Sequence, residues 1–236
     1  MHDFDQPAPI LLDSLPPEQL EAARDPLPRL RRIEGRWLWP DACFDAQMAL
    51  KERLLAERPE LVLGALPGRE AAIDEALAVV GAETGLAPEG TPLQRLVRIT
   101  QADICLLEEV EGEHVLVAAA LAFPSGWTLA EKLGRTMARI HVPVPPYDQG
   151  VNLRVERMFT NLRAGQIVWR ANLNPHRDFR LHRPESEAMS RKARHPGGAQ
   201  PYLRSERQTL MRLPQTGAIL FSIHTAMVRN EAFPGA

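Results

Sequence analysis

The sequence predicts an α+β fold in which an antiparallel sheet carries helices on one face. Two observations lead to this prediction. Helical periodicity dominates residues 41–101, and from Asp103 onward the predicted order becomes two strands, helices and three strands. Hydrophobic residues make up 44% and charged residues 25% of the 236 residues, which is typical of a soluble chain that can bury a core.

Composition and charge argue against several classes of partner. The chain has 28 basic and 30 acidic residues and a net charge of −2, so no overall field favours nucleic acid or a membrane surface. No apolar run approaches the roughly 20 residues that span a bilayer. The N-terminus lacks the apolar core of a signal peptide, so we expect a cytoplasmic protein. Cys43 and Cys105 are expected to be buried, reduced thiols.

Apolar periodicity predicts three helices in the N-terminal part. The first two are expected over residues 44–58 and 69–80. The third is expected to begin at Thr91, because Pro92 occupies the first helical position and Gln94 completes a capping box.

Two strands joined by a tight turn are predicted where the helical pattern ends. They cover residues 104–110 and 114–123, and Glu111 and Gly112 form the turn. The second strand is too apolar to have a solvated face, so we expect it to be central in the sheet.

The stretch from Trp127 to Tyr147 contains the principal site candidate. Thr128 and Glu131 have capping-box spacing, which predicts the start of a helix. Pro143 disfavours helical geometry in the residue before it, so His141 is expected at the end of that helix. A histidine placed there could ligate a metal or a heme iron. The alternative is a half-buried histidine that is hydrogen-bonded to a neighbouring carbonyl.

One helix and three strands complete the prediction. The helix is expected over 151–162, and the strands over 166–170, 202–213 and 218–225. The last two strands should pair as a hairpin. A polar connection contains His176 and His182, whose spacing suits no standard metal motif, and residues 185–200 are expected to form a mobile loop.

The order of elements after Asp103 is also that of a PAS-type sheet, in which the helices after the second strand form a ligand pocket. We therefore divide the chain into two parts. Residues 1–101 form a proline-rich and helical section packing on the core, and residues 102–236 form the PAS-like domain. No GxGxxG, Walker A, GxSxG, HExxH or paired CxxC motif is present, which argues against phosphate cradles and zinc hydrolysis.

Alternation in the strand over 202–213 separates two faces. Arg207 falls on the more apolar face, which would point inward, together with Leu203 and Met211. A buried guanidinium is costly unless an anion or a carboxylate meets it. The alternative is a local bulge that leaves Arg207 solvated. His224 is predicted to be a core histidine.

Two long blocks carry a resemblance to a known family. K-L-G-R-T-M-A-R-I-H-V-P-V-P at 132–145 and L-R-S-E-R-Q-T-L-M-R-L-P-Q-T-G-A-I-L-F-S-I-H-T at 203–225 occur in the right order. Together they resemble the heme-dependent oxidative N-demethylase family, which is named for the heme-bearing subunit of a bacterial secondary-amine demethylase. A weaker likeness extends from Trp37 to Thr225.

The resemblance implies a PAS-like fold carrying heme b. It also implies an oxygen-activating monooxygenase component that acts on a small methylated amine and O2, with electrons from separate reductase subunits. Carried onto this chain, it makes His141 the proximal iron ligand. Arg207 becomes the distal donor to bound oxygen or a partner of a heme propionate, and Glu206 a carboxylate that holds a cationic amine. Simple alternation places Glu206 and Arg207 on opposite faces.

This chain departs from the family pattern at two places. The family has a tryptophan where R-A-N-L at 170–173 has Leu173, and its members run on beyond the final strand, whereas this chain stops at Ala236. We expect either a short member or one that lacks a C-terminal helical section.

Three functions remain open from the sequence. The first is the enzyme described above, and the second is a non-catalytic PAS-like module that binds heme or another small ligand. The third is a degenerate relative that serves as a structural partner. The first two functions are separated by whether the pocket around His141 also contains the polar side chains of Arg207 and Glu206.

Overall fold

A seven-stranded antiparallel sheet organises the fold. The computed structural model describes residues 4–25, 29–140, 149–188 and 198–231. The helices of this part are α1 (Pro17–Arg24), α2 (Phe44–Glu57), α3 (Pro59–Val62), α4 (Glu70–Thr84), α5 (Pro92–Ile99), α6 (Leu129–Lys132), α7 (Met137–Ile140) and α8 (Gln149–Asn161). The strands are β1 (Arg31–Ile33), β2 (Leu63–Ala65), β3 (Asp103–Val110), β4 (Glu113–Ala120), β5 (Ile167–His176), β6 (Tyr202–Arg212) and β7 (Ile219–Arg229).

The strands lie in the order β1-β5-β6-β7-β3-β4-β2, and neighbouring strands are antiparallel. The α+β prediction is therefore confirmed. The short edge strands β1 and β2 come from the N-terminal part and pair with β5 and β4. The first 101 residues thus contribute to the same sheet as the rest. None of the described helices has both the length and the apolar character needed to cross a bilayer.

Helices cover both faces of the sheet, so the expectation of helices on one face was wrong. Ile104 and Leu106 of β3 pack in one cluster with side chains of α2, α4 and α5. Their neighbours Cys105 and Leu107 point the other way and pack with Leu129 and Phe159, which belong to α6 and α8. We call these surfaces the α2 face and the α8 face. Apolar side chains on both sides of β3 require cover on both sides.

The three predicted N-terminal helices are confirmed as α2, α4 and α5. The capping box at the start of α5 is also present, because Thr91 Oγ1 accepts from Gln94 N at 3.4 Å and Gln94 Oε1 accepts from Thr91 N at 2.9 Å. The two predicted strands joined by a tight turn are confirmed as β3 and β4. Glu111 and Gly112 join them, and their φ angles of 52° and 84° are those of a tight hairpin turn.

The single helix predicted from Thr128 to His141 was wrong, because the chain forms two short helices there. Gly134, at φ +77°, interrupts them, and its N–H donates to Leu116 O of β4 at 2.8 Å. The predicted capping box is also absent. Thr128 Oγ1 donates to Glu131 Oε2 at 2.8 Å and caps no backbone N–H. The glycine allows a left-handed turn that ties this segment to the edge of β4.

The helix over 151–162 is confirmed as α8, and the strand β5 is longer than predicted. Residues 174–176 were expected in a polar connection but continue the strand, paired with β6 as far as His176. Pro175 is tolerated because β1 covers only Ile167 to Trp169 on the other side of β5. A proline that lacks an N–H can occupy such an unpaired edge.

The predicted hairpin of β6 and β7 is confirmed and is unusually regular. Every residue from Tyr202 to Arg212 has a partner in β7 without a register shift. The bulge considered at Arg207 is therefore absent. The loop expected over 185–200 lies partly outside the described residues, because 189–197 are among those not described.

A buried ion pair ties the N-terminal helices to the sheet. Lys51 of α2 is 1% exposed, and its Nζ donates to Thr100 O, to Ala102 O and, at 3.2 Å, to Asp103 Oδ1. The Asp103 carboxylate also accepts from the backbone N–H groups of Ala122 and Phe123 at 2.9 and 2.8 Å. One pair of side chains thus fixes α2, the end of α5 and the ends of two strands.

Replacing Lys51 with Met should lower the free energy of unfolding by about 3–5 kcal/mol, because Asp103 stays buried without its counter-charge. Urea denaturation of the two proteins measures the difference. The control is Glu57→Gln, which breaks a pair with Arg53 whose side chains are 46% and 53% exposed. It should cost less than about 1 kcal/mol. Equal losses in the two variants would contradict the assignment.

Candidate functional site

The regular alternation of β6 places Glu206 and Arg207 on opposite faces of the sheet. Glu206 pairs with Asn172 and Thr225 on the side where Leu210 packs against α8. Arg207 pairs with Ala171 and His224 on the α2 face. The structure therefore does not bring the two predicted pocket residues together.

Arg207 lies between two tryptophan rings on the α2 face. Its residue exposure is 5%, and its Cζ is 2.8 Å from the ring centroid of Trp39 and 4.4 Å from that of Trp169. The Nε and Nη2 atoms are buried and have no hydrogen-bond partner among the described residues. Burial lowers the pKa of Arg207 to about 10, partly offset by the charge of Glu18. The inward orientation predicted for Arg207 is confirmed.

Glu206 belongs to a row of polar side chains on the α8 face. Its Oε1 accepts from Arg204 Nε at 3.1 Å, and its Oε2 accepts from Asn172 Nδ2 and Gln208 Nε2, each at 3.1 Å. Arg170 Nε donates to Gln208 Oε1 at 2.8 Å and extends the row. Burial raises the pKa of Glu206, but Arg204 and the hydrogen bonds outweigh it and bring the pKa below its usual value.

Arg204 anchors this row to the loops at the end of the sheet. Its guanidinium is 1% exposed and donates through Nη1 to Leu181 O at 3.0 Å and through Nη2 to Phe123 O at 2.6 Å. A second bond from Nη2 reaches Thr225 Oγ1 at 3.2 Å. Because these donors are occupied, Arg204 has a structural role and fixes the orientation of Glu206.

His141, the predicted iron ligand, lies outside the described residues. Ile140, immediately before it, packs against the cluster of the α8 face. Other large apolar side chains pack on the same cluster and are only partly buried, namely Trp127, Leu133, Met137, Val155, Met158 and Phe221. Ile140, the last described residue before His141, therefore lies beside an apolar wall that is only partly covered. This wall is on the face that also carries the polar row of Glu206.

The end of α7 is held by a clamp of charged side chains. Lys132, which is 3% exposed, donates from Nζ to Ile140 O at 2.7 Å and contacts Glu187 Oε1. Arg139 Nη2 meets Glu187 Oε2 at 2.9 Å. Hydrogen bonds from Arg139 and Lys132 lower the pKa of Glu187 to about 2. The clamp fixes the carbonyl that directly precedes His141.

A second carboxylate attaches the same loop to α6. Glu131 Oε1 accepts from Ser186 Oγ at 2.6 Å, and both Glu131 oxygens lie 3.1–3.2 Å from Glu187 N. Burial raises the pKa of Glu131, but the bonds from Ser186, Thr128 and Glu187 N outweigh it and lower the pKa overall. Glu131 is thus committed to the loop over 185–188 and is not available as a helix cap.

Sequence reasoning missed the clamp and most of the polar row. Gln208 and Arg204 could have been found, because they alternate with Glu206 on one strand. Arg170 could not, because its position depends on the register between β5 and β6. Glu187 gave no signal, since it reaches Lys132 across 55 residues.

The two other histidines of the predicted polar connection have structural partners. His182 is 5% exposed, and its Nδ1 lies 2.6 Å from Ala122 O. His176 contacts Arg183, and burial together with the charges of Arg183 and Arg204 lowers its pKa to about 4. Within the described ranges, no group of three or more His, Cys, Asp and Glu side chains could hold a metal ion.

The described surface has two depressions with volumes of about 390 and 470 Å³. The first is lined by Phe4, Gln6 and residues 178–180, and the second lies between α4 and α5. Neither is lined by Glu206 or Arg207.

The fold is thus an α+β antiparallel sheet whose α8 face combines an apolar wall with a row of polar side chains. Residues 78–234, more than half of the chain, match the family model described as "Haem-dependent oxidative N-demethylase, alpha subunit-like". The chain belongs to this family, and the resemblance inferred from 132–145 and 203–225 is confirmed.

Replacing Glu187 with Gln should lower the free energy of unfolding by about 1–3 kcal/mol at neutral pH, because Lys132 loses its charged partner inside the fold. A carboxyl whose pKa is lowered by folding stabilises above its ordinary pKa of 4.5, and this contribution disappears as the pH falls toward about 2. The difference between the two proteins should therefore shrink over that interval in urea titrations.

Glu52→Gln is the matched control for this prediction. Glu52 also meets an arginine through both oxygens, at 2.9 and 2.8 Å, but its side chain is 52% exposed. Its loss should be smaller. A pH-independent loss in the Glu187 variant would count against the clamp.

Proposed function

We propose that this chain is the heme b-binding subunit of an oxygen-dependent enzyme that removes a methyl group from a small amine. We place the heme on the α8 face, with His141 as its proximal ligand. The family match supports the cofactor and the reaction class, since the family description names both heme and oxidative N-demethylation.

The observation that carries this proposal is the apolar wall beside Ile140. Trp127, Met137, Met158 and Phe221 pack on the cluster of the α8 face but remain partly exposed, which leaves apolar surface for a flat ligand. A porphyrin is largely apolar and would bury this surface. The same face supplies the residue that leads directly into His141.

The donor set of this face fits heme. A neutral imidazole at His141 is a usual axial ligand. At the polar end of the wall, Arg170 is a cation of the kind that pairs with a propionate carboxylate, and its Nε donates to Gln208 Oε1 at 2.8 Å. The clamp of Lys132 and Glu187 would hold the approach to His141 in one position. When bound, heme supplies the oxygen activation and the oxidation of the methyl group.

Glu206 is our candidate for recognising the amine. Its lowered pKa leaves it ionised at neutral pH, and it lies on the same face as the apolar wall. A carboxylate in an apolar site attracts a protonated amine, and the neighbouring wall excludes water. Arg207 has no part in this site, because it lies on the opposite face of the sheet.

The overall reaction fixes what other partners must supply. O2, two electrons and two protons convert the methylated amine into the demethylated amine, formaldehyde and water. We propose that separate reductase subunits deliver the electrons, which agrees with the description of the family as an alpha subunit.

We also propose that residues 102–236 form a PAS-like domain and that residues 1–101 pack on it. The five central strands lie in the order β5-β6-β7-β3-β4, and α6, α7 and α8 lie between the second and third of them in the chain. This order supports the PAS-like assignment, in which we expect the ligand pocket under those helices.

A non-catalytic module that binds heme or another small ligand is the second candidate. One observation favours it: the Glu206 carboxylate already has Arg204 as a partner at 3.1 Å. The charge available to a cationic amine is correspondingly reduced.

Heme binding tests the placement of the site. The purified protein reconstituted with hemin should give a Soret band, and His141→Ala should remove or shift it because the axial ligand is lost. The control is His224→Asn, since His224 lies on the α2 face and bonds to Asp41 Oδ2 at 2.8 Å. An unchanged band in the His141 variant would contradict the assignment of the ligand.

Turnover separates the enzyme from the binding module. With an artificial reductant and O2, the heme-loaded protein should release formaldehyde from a small methylated amine. Glu206→Gln should raise the amine concentration needed for half-maximal rate about tenfold, because a charged contact is lost. Heme binding without formaldehyde from any methylamine tested would favour the binding module.

A further inference from the structure

Arg207 is a buried cation with two free hydrogen-bond donors. Within the part of the chain that the structure describes, its Nε and Nη2 atoms have no hydrogen-bond partner, while the residue is 5% exposed. These two atoms form one edge of the guanidinium, and their N–H bonds point in parallel directions. That edge is the one that binds both oxygens of a carboxylate or of a phosphate.

The polar groups around Arg207 are committed elsewhere. Asp41 accepts from His224 and from Gln101, at 2.8 and 2.7 Å, and Ser205 Oγ bonds to Gln19 and Asn172 O. Glu18 acts on Arg207 through its charge but forms no described ion pair with it. Among the described residues, no carboxylate therefore forms a hydrogen bond with the Nε and Nη2 atoms of this cation.

An unpaired buried donor is unfavourable, and a buried charge without a partner more so. The two indole faces offset part of this cost, since a guanidinium stacks well on tryptophan. They cannot satisfy N–H groups that point along the plane of the guanidinium. An anion meeting this edge would supply both hydrogen bonds and the missing charge.

We propose that Arg207, enclosed by Trp39 and Trp169, is a binding site for a small oxyanion, a carboxylate or a phosphate, on the α2 face. This site is separate from the heme site proposed above and does not depend on it. The anion binds side-on to Nε and Nη2 and replaces the missing counter-ion.

Trp39 is the wall through which the anion enters. Trp169 belongs to β5 and is 5% exposed, so it is fixed by the sheet and by its packing against Ala22 and Ala171. Trp39 lies outside the strands and helices and is only partly buried. Of the two rings, Trp39 is therefore the one that can move without disturbing the sheet.

Tryptophan fluorescence of the full chain tests the proposal, because both rings contact the binding group. The protein is titrated with sodium acetate and, separately, with inorganic phosphate, at constant ionic strength maintained with chloride. We expect a saturable change with at least one of the two anions, and the stronger response identifies the source chemistry. Acetamide, which has the shape of acetate without the charge, should give no response.

Variants connect the response to one side chain. Arg207→Gln should weaken the anion response about tenfold or more, and Arg207→Lys should weaken it as well, because an ammonium lacks the parallel N–H pair. The matched control is Arg31→Gln. Arg31 also lies over the Trp169 ring, at 5.8 Å, but it pairs with Glu21 and is partly exposed. This variant should respond as the wild type does.

Several outcomes would overturn the proposal. One is a wild-type protein that responds to neither anion, or equally to chloride, and this result does not depend on whether any variant folds. Another is an Arg207→Gln protein that keeps the wild-type response. Loss of hemin binding in Arg207→Gln without any anion response in the wild type would also contradict it, because it would assign Arg207 to the heme.

Discussion

An unbroken hydrogen-bond register between β6 and its two neighbours decides where the charged groups of this protein lie. Because no bulge interrupts the pairing with β7, alternate residues go strictly to opposite faces. Glu206 therefore joins Arg204 and Gln208 on the α8 face, while Arg207 goes to the α2 face. A shift by one residue would exchange these environments and leave the salt-bridged row under the N-terminal segment.

The buried lysines and arginines of the described residues follow one rule with a single marked departure. Lys51 is matched by Asp103, Arg204 by Glu206 and backbone carbonyls, and Lys132 by Glu187. The Lys51 and Lys132 pairs join segments that are distant in the chain, and Arg204 does so through the carbonyls of Leu181 and Phe123. Arg207 departs from the rule, since aromatic faces surround it and two of its donors are unsatisfied. Such a departure is where a ligand is expected.

Local patterns predicted the parts of the fold that local patterns determine. The capping box at Thr91 and the alternation along β6 were visible in the sequence and are present in the structure. The break at Gly134 was not predicted, because it depends on a bond to Leu116 of a neighbouring strand. The cover on both faces and the partner of Lys132 likewise come from contacts between distant segments. Alternation did place Glu206 and Arg207 apart, but it could not say which face Ile140 packs on.

We propose that heme lies against the α8 face beside Ile140. Methyl NMR spectra of the protein loaded with ferric heme test it most directly, because a paramagnetic iron shifts and broadens nearby methyl signals. We predict strong effects on Met137, Ile140 and Met158, and little change at Ile73 and Ile99, which pack on the α2 face. Strong effects at Ile73 and Ile99 with unchanged signals from Ile140 and Met158 would contradict the account.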